Sequence, residues 1–353
     1  MKPQRFLNHS QIDVYFKQSK DDFVVNEVPL YEFSNEGEHL ILKLRKKDLA
    51  TWDAIEILAN YLKCSTREFG YAGLKDKNAM TVQHISIHRK YEDALKSFTH
   101  ENIKILETTY HNNKIKIGHL KGNNFFIRLK RVGLVEKQKI EEAFSKIAVF
   151  GMPNYFGFQR FGIDGENYKK GKQIVEGTLK ERNRNLKQMF INAYQSYLFN
   201  AWLSKRIEIS KLIEAFEPKE IFEKLYLPLD EVKRAKKQAH PFKILTGDLL
   251  SHYPFGKIFI IDDLETESQK FFEKDRVPTG LLSGKRVKKS EGLAYEIEKD
   301  FEVQMSEDGA RRFAFVFPEN LQSNYKEDKN HMELSFYLPK GSYATELIAE
   351  ILH

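Results

Sequence analysis

The sequence predicts an α+β fold in which one mixed domain is interrupted by a helix-rich α+β insertion. Three observations predict it. Both ends of the chain alternate apolar and polar residues with the period of half-buried strands, whereas Lys169 to Glu298 is lysine-rich and largely helical in its spacing. At 353 residues the chain also exceeds the usual size of one compact domain. The expected parts are an N-terminal portion of the main domain at 1–152, the insertion at 153–305, and the return of the main domain at 306–353.

Taken in order, "DFVVNEVP" (Asp22 to Pro29) and "HLILKLRK" (His39 to Lys46) read as strands separated by the turn-forming "SNEGE". In "TWDAIEILANYLK", Trp52, Ile55, Leu58, Ala59 and Leu62 recur at helical spacing, with Thr51 placed as N-cap. The stretch "GYAGLKDKNAMTVQ" (Gly70 to Gln83) joins this helix to the alternating strand "VQHISIH" (Val82 to His88). Three more strands are expected in "IKILETTY", "NKIKIGHL" and "NFFIRLKRV", joined by Asn-Asn and Gly-Asn-Asn turns. A helix from Val135 to Phe150 buries Ile140, Ala143, Phe144 and Ile147 and is capped by Gly151. "PNYFGFQRFG" (Pro153 to Gly162) reads as a hydrophobic hinge between domains. The strongest helix beyond it is "LKQMFINAYQSYLFNAWLSKR", whose buried stripe is Phe190, Tyr194, Tyr197, Leu198 and Ala201 and whose last turn carries Lys205 and Arg206. In the tail, Met332, Leu334 and Phe336 alternate in a strand that turns at Pro339 to Gly341 and enters a short helix with Leu347, Ile348 and Ile351.

Hydrophobic residues make up 41% of the chain and charged residues 30%, the balance of a globular protein. No apolar run reaches the roughly 18 residues a membrane helix needs, and the N-terminus lacks the apolar block of a signal peptide. A cytoplasmic location is expected. Cys64 is the sole cysteine, which excludes an internal disulfide and thiolate-rich metal sites. The formal charge of +7 fits a polyanionic partner as well as simple solubility, and the 13% aromatic content favours nucleic acid, whose unpaired bases stack on rings.

Several chemistries fail on spacing. "GLLSGKR" (Gly280 to Arg286) has three residues between its glycines and Arg286 where a phosphate loop has Ser or Thr. His84 and His88 lie on a strand pattern without the glutamate of a zinc-protease helix, and there is no Gly-x-Ser-x-Gly elbow. What remains is Asp76, between Lys75 and Lys77. Alone this triplet reads as a solvated turn. The small residues Gly70, Ala72, Gly73 and Ala79 would instead let a backbone or a substrate approach closely, and a carboxylate beside a lysine stays ionised and can act as nucleophile or base.

"AGLKDKNAMTVQ" resembles the signature of the TruD family of pseudouridine synthases, Ala-Gly-x-Lys-Asp-x-x-Ala-x-Thr-x-Gln, with every fixed position present. "DFVVNEVP", "LKGNNFFIRL", "NYFGFQRFG" and "FYLPKGSYAT" match further family stretches in order and span nearly the whole chain. The resemblance implies a pseudouridine-synthase catalytic domain, a mixed and largely antiparallel sheet flanked by helices, interrupted by the family's insertion domain. It also implies a cofactor-free isomerase that converts uridine 13 of certain tRNAs to pseudouridine, with tRNA as partner; the absence of metal motifs agrees with this, and with nothing to suggest a dedicated dimer interface a monomer is expected.

By motif position the resemblance makes Asp76 the catalytic aspartate, attacking C1′ of the ribose or C6 of the base. It assigns Lys17 as the companion cation, with Lys75 also beside the carboxylate. Phe125 matches the ring that stacks on the target base and Asn123 the pocket asparagine, with Phe126 and Asn124 as alternates one residue on. Phe336 completes the pocket from the C-terminal strand. On pattern alone, Phe125 and Phe336 are core residues of alternating strands and Lys17 is an exposed lysine. Flipping a stacked base out of folded RNA, into a pocket between the domains, costs a few kcal/mol. Lys233 to Lys237, Gly284 to Lys289, Arg128, Lys130 and Arg131 are candidates for the phosphate contacts that offset it, along a cleft between the domains, with "NYFGFQRFG" as a further RNA-facing edge. A non-catalytic RNA-binding or RNA-chaperone protein, or an RNA hydrolase with Asp76 as base, are the alternatives.

Overall fold

The computed structural model describes residues 3–16, 20–75, 77 and 79–353. In chain order the elements are β1 (Phe23–Pro29), β2 (His39–Lys47), α1 (Thr51–Leu62), β3 (Gly70–Tyr71), β4 (Met80–His88), α2 (Glu92–Leu95), β5 (Ile103–His111), β6 (Leu120–Lys130) and α3 (Leu134–Phe150). Then come β7 (Met152–Pro153), α4 (Asn167–Val175), α5 (Arg184–Ala215), α6 (Pro218–Leu225), α7 (Leu229–Lys236), β8 (Leu249–His252), β9 (Ile258–Ile260), α8 (Leu264–Phe272), β10 (Arg276–Leu282) and α9 (Gly292–Glu298). The chain ends with β11 (Ala310–Phe313), β12 (Phe315–Val316), β13 (Glu319–Lys326), β14 (His331–Pro339) and α10 (Ala344–Leu352).

By compactness the chain forms two units. The first comprises Ile12–Glu142 and Pro318–Gly341 and is built on a sheet of order β13-β14-β6-β1-β4-β2-β5, with β3 added on β4. β1 runs parallel to β4, and the other pairings are antiparallel. This is the mixed, largely antiparallel sheet expected. One face at the β2–β4 end is covered by α1, whose Ala54, Ile55, Leu58 and Ala59 pack on Leu40, Leu42, Leu44, Ile85 and Ile87. Each leucine so buried contributes about 1.5–3 kcal/mol.

"NKIKIGHL" is not a strand, despite its alternation. It is a loop in which Ile115 is buried with Ile41 and Ala72 while Ile117 is 77% exposed. Its backbone is held by Ile115 N–H donating to Ser86 Oγ at 2.9 Å and Gly118 N–H to the Ala72 carbonyl at 2.8 Å, with Gly118 at φ +90°. These bonds replace a ladder, so alternation here records burial under a loop rather than pairing. β13 escapes the sequence pattern for the opposite reason: it is a mostly exposed edge strand without apolar alternation.

The second unit comprises Met1–Gln11, Ala143–Phe317 and Ser342–His353. It contains a four-stranded sheet of order β11-β10-β8-β9, the short β12–β7 pair and helices α4 to α10. α5 runs on past the expected end at Arg206 to Ala215, and Arg206, expected in the last turn, is 1% exposed inside the helix. Its guanidinium is gripped by Asp248 at 2.6 and 2.7 Å, a bidentate pair that keeps a buried cation satisfied. "PNYFGFQRFG" lies inside this unit. Tyr155 is 1% exposed, and Asn200 Oδ1 accepts from Phe156 N–H at 2.9 Å, so its first half is wall rather than hinge.

The expected limits 152/153 and 305/306 both fall inside this second unit. Compactness marks different points because both chain termini are tied to the helices. Gln4 N–H donates to Ser204 Oγ on α5 at 2.8 Å, and Phe6 and Leu7 N–H both donate to Glu350 Oε1 on α10 at 2.6 Å. Burial pushes the Glu350 carboxyl up to about 7, against the pull of those two N–H groups, Arg5 and Lys211. A folded value above the ordinary 4.5 means the folded chain retains a proton the unfolded chain has lost, so stability falls as pH rises towards about 7. Glu350→Gln should remove this slope, on the order of 1–3 kcal/mol, in thermal unfolding followed from about pH 4.5 to 8; parallel wild-type and variant profiles would contradict it.

Candidate functional site

The signature loop leaves β3 and enters β4 within the first unit. Asp76 and Lys17 lie outside the described residues, so the site is built from what surrounds residue 76. The two ends of the loop are anchored in the core: Ala72 is 2% exposed and Ala79 fully buried. Between them, Lys75 N–H donates to Thr51 Oγ1 at 2.8 Å, and the Lys75 carbonyl accepts from Lys46 Nζ at 3.4 Å.

Thr51 is therefore not the N-cap of α1. Ala50 occupies that position, its N–H donating to Asp53 Oδ2 at 2.9 Å, and the Thr51 hydroxyl instead donates to Gln83 Oε1 at 3.0 Å while accepting from Lys75. One hydroxyl thus fastens the loop to both a helix start and a strand. Lys46 is wholly buried at the end of β2 and also donates to the Leu49 carbonyl at 2.5 Å.

Strand register places the other side chains. Glu27 on β1 stands opposite Asn123 on β6, Val25 opposite Phe125, and Phe125 opposite Phe336 on β14. Lys75 Nζ reaches this face, 3.1 Å from Glu27 Oε2 and donating to Asn123 Oδ1 at 2.5 Å. The Lys75 side chain is 7% exposed and that of Glu27 1%, so neither charge could be held there without the other. Burial alone would raise the Glu27 carboxyl; the His84 hydrogen bonds and the Lys75 charge outweigh it and hold the carboxyl below its ordinary value. The His84 N–H donates to Glu27 Oε1 at 3.1 Å.

Phe125 and Phe336 stack with centroids 5.5 Å apart and planes at 26°, and Phe23 meets Phe125 edge-on at 6.2 Å. Phe125 is 8% and Phe336 2% exposed, so the pair is an apolar floor with little ring surface open for stacking. The alternates one residue on turn the other way. Asn124 is exposed, and Phe126 lies under the Arg128 guanidinium at 5.4 Å. Of the expected site residues, the structure thus brings together Lys75, Asn123, Phe125 and Phe336.

Sequence reading missed Glu27, Lys46 and the role of Thr51. The signal was present: Glu27 is in phase with Phe23 and Val25, and Lys46 with Leu40, Leu42 and Leu44, so each is a charge at an inward strand position. Two further inward groups, Thr81 Oγ1 and Gln83 Nε2, are buried without a hydrogen-bond partner among the described residues. A polar end to an otherwise apolar sheet face is what a site needs to orient a polar ligand.

Several cations expected to meet phosphate are already engaged. Arg128 bridges Asp22 and Glu333 at 3.3 and 3.1 Å, and Lys130 pairs with Asp22 at 2.6 Å. Arg234 pairs with Glu231, Arg286 with Asp308 at 2.6 Å, and Lys289 with Glu302 at 2.5 Å. Arg131 instead lies 5.4 Å above the ring of Tyr15, which is 43% exposed.

Removing Glu27 strands the Lys75 ammonium. Glu27→Ala should cost about 3–5 kcal/mol in urea unfolding near neutral pH. Because the folded carboxyl lies below its ordinary 4.5, its contribution is present above that value and lost as pH falls through the lowered one, so wild type and variant should converge in acid. A constant difference down to low pH would contradict the assignment.

Comparison with known proteins gives one answer. The family model of tRNA pseudouridine synthase D (TruD) matches residues 4–182 and 166–351. The chain is 55% identical over 349 residues to a tRNA pseudouridine synthase D of Nitratiruptor, covering 99% of this chain and 97% of that one. It is 54% identical over 345 residues to that of Sulfurimonas denitrificans, covering 98% and 97%. In fold it is similar to the crystal structure of a putative tRNA pseudouridine synthase D from Methanosarcina mazei, with a TM-score of 0.72 at 22% identity over 99% of this chain and 95% of that one. With the signature loop pinned to a polar strand end and relatives matched along essentially its full length, the chain belongs to the tRNA pseudouridine synthase D (TruD) family.

Proposed function

We propose that this chain is a tRNA pseudouridine synthase that isomerises uridine 13 of its substrate tRNAs, with Asp76 as the nucleophile. The observation that carries the reading is the intact signature at Ala72–Gln83, whose Lys75 is held against Asn123 beside the Phe125–Phe336 floor. In the reaction the C1′–N1 glycosidic bond breaks, the uracil turns, and C1′ bonds to C5. The C5 hydrogen leaves as a proton and N1 gains one, so substrate and product have the same atoms. Asp76 serves by attack at C1′, giving a ribosyl ester that leaves the uracil free to turn, or by addition at C6, giving an adduct that carries the uracil as it turns.

Lys17 is the cation that keeps Asp76 ionised, since an opposite charge close by favours the carboxylate, whereas the Lys75 ammonium is engaged by Glu27 and Asn123. A flipped base must be paid for by contacts elsewhere in the tRNA, mostly to phosphate. Arg131 is a candidate for such contacts, with the exposed Lys237, Lys285 and Lys288 on the other unit. The enzyme acts as a monomer in the cytoplasm, and no helix among the described residues is long and apolar enough to cross a membrane.

Incubation with unmodified tRNA transcripts followed by chemical mapping of pseudouridine tests the reading. Product at uridine 13 is expected; tRNA binding by the wild type without product would leave a non-catalytic RNA-binding protein. Asp76→Asn should abolish turnover with tRNA affinity changed by less than about tenfold, or roughly 1.4 kcal/mol. Affinity should also fall steeply between about 50 and 200 mM salt, and a flat salt dependence would remove the phosphate contacts from the proposal.

A further inference from the structure

The ammonium of Lys75 carries three donors and no acceptor, so the Asn123 atom 2.5 Å from it is the amide oxygen. The Asn123 Nδ2 group is then turned away from Lys75 and is a pure donor. Glu27 decides whether this holds. It is the cross-strand partner of Asn123, its carboxylate lies 3.1 Å from Lys75 Nζ, and its side chain is 1% exposed, so the ammonium spans the two facing strand residues. His84 N–H fixes the carboxylate in turn, at 3.1 Å. No role in the reaction attaches to Glu27 through the signature loop, which it precedes by two strands and a helix.

We propose that Glu27 is a positioning residue: by holding Lys75 against Asn123 Oδ1, it locks the Asn123 amide with Nδ2 as a hydrogen-bond donor to a carbonyl oxygen of the pyrimidine. This rests on the pseudouridine-synthase reading above. Uracil presents carbonyl oxygens at C2 and C4, whereas cytosine carries an amino group at C4, so a locked donor there favours uracil and repels cytosine. Without the Glu27 charge, Lys75 loses the group that keeps it over Asn123, and the amide is free to turn its oxygen towards the base carbonyl. The energy at stake is orientation of an already bound base, so the loss falls on the chemical step and not on tRNA capture.

The test uses the full chain, an unmodified tRNA transcript, single-turnover rates at saturating enzyme and separate tRNA affinities. Glu27→Gln should lower the rate by about tenfold or more, as misplacement of a positioned group does, with affinity within about threefold. Asn123→Ala should be slow in the same way, and the Glu27→Gln/Asn123→Ala double variant no slower than Asn123→Ala, because residues acting as one unit are not additive. Should Glu27→Gln fail to fold, Glu27→Met/Lys75→Met replaces the buried pair by apolar chains of similar length, a change often tolerated, and should reach the Asn123→Ala rate. A folded Glu27 variant at the wild-type rate, or single effects that multiply in the double variant, overturns the inference. Absence of product with the wild type overturns the underlying reading instead.

Discussion

A lysine ammonium lodged on a nearly dry sheet face must have a carboxylate within reach, and Glu27 supplies it to Lys75. Much of the site's order follows from that one ion pair. It draws the signature loop down onto β1 and β6, because Lys75 belongs to the loop and Glu27 and Asn123 belong to facing strands. The Thr51 hydroxyl and Lys46 ammonium fix the loop backbone at the same residue from the helix and β2. Residue 75 is thereby held through its N–H, its carbonyl and its side chain.

That arrangement explains an otherwise costly choice of residues. Lys46, Thr81 and Gln83 are fully buried where leucine and isoleucine line the same face farther along. An apolar end would pack more simply. Polar groups there hold the middle of a loop whose ends are buried through the small residues Ala72 and Ala79. The stability given up by burying polar groups is returned as a defined loop position, a trade common where strain or polarity sits at a site.

Most of the sheet was legible in the sequence because its strands are amphipathic at period two. β1, β2, β4, β6 and β14 fall where alternation placed them, and α3 ends at Gly151 with the positive φ its cap requires. The failures share a cause, which is that pattern reports burial and not partner. Ile115 alternates with Ile117 although its segment has no strand neighbour, β13 pairs with β14 without an apolar face, and Arg206 is buried by Asp248, a residue far off in sequence. The site was legible differently. Its motif residues stand out by resemblance, but Glu27 and Lys46 look like ordinary strand charges until their phase is compared with their neighbours.

Phase also separates Asn123 and Phe125 from Asn124 and Phe126, a choice that doubled residues leave open in the sequence. A one-residue shift along a strand reverses the face, and here only the odd-numbered pair lies on the face that carries Lys75, Glu27 and Phe336. The same geometry limits what the aromatic pair can do. With 8% of Phe125 exposed, the ring is a rigid backing with little surface open for stacking. In the function proposed above, orientation of the base therefore falls to the Asn123 amide and, through Lys75, to a glutamate that the base does not touch.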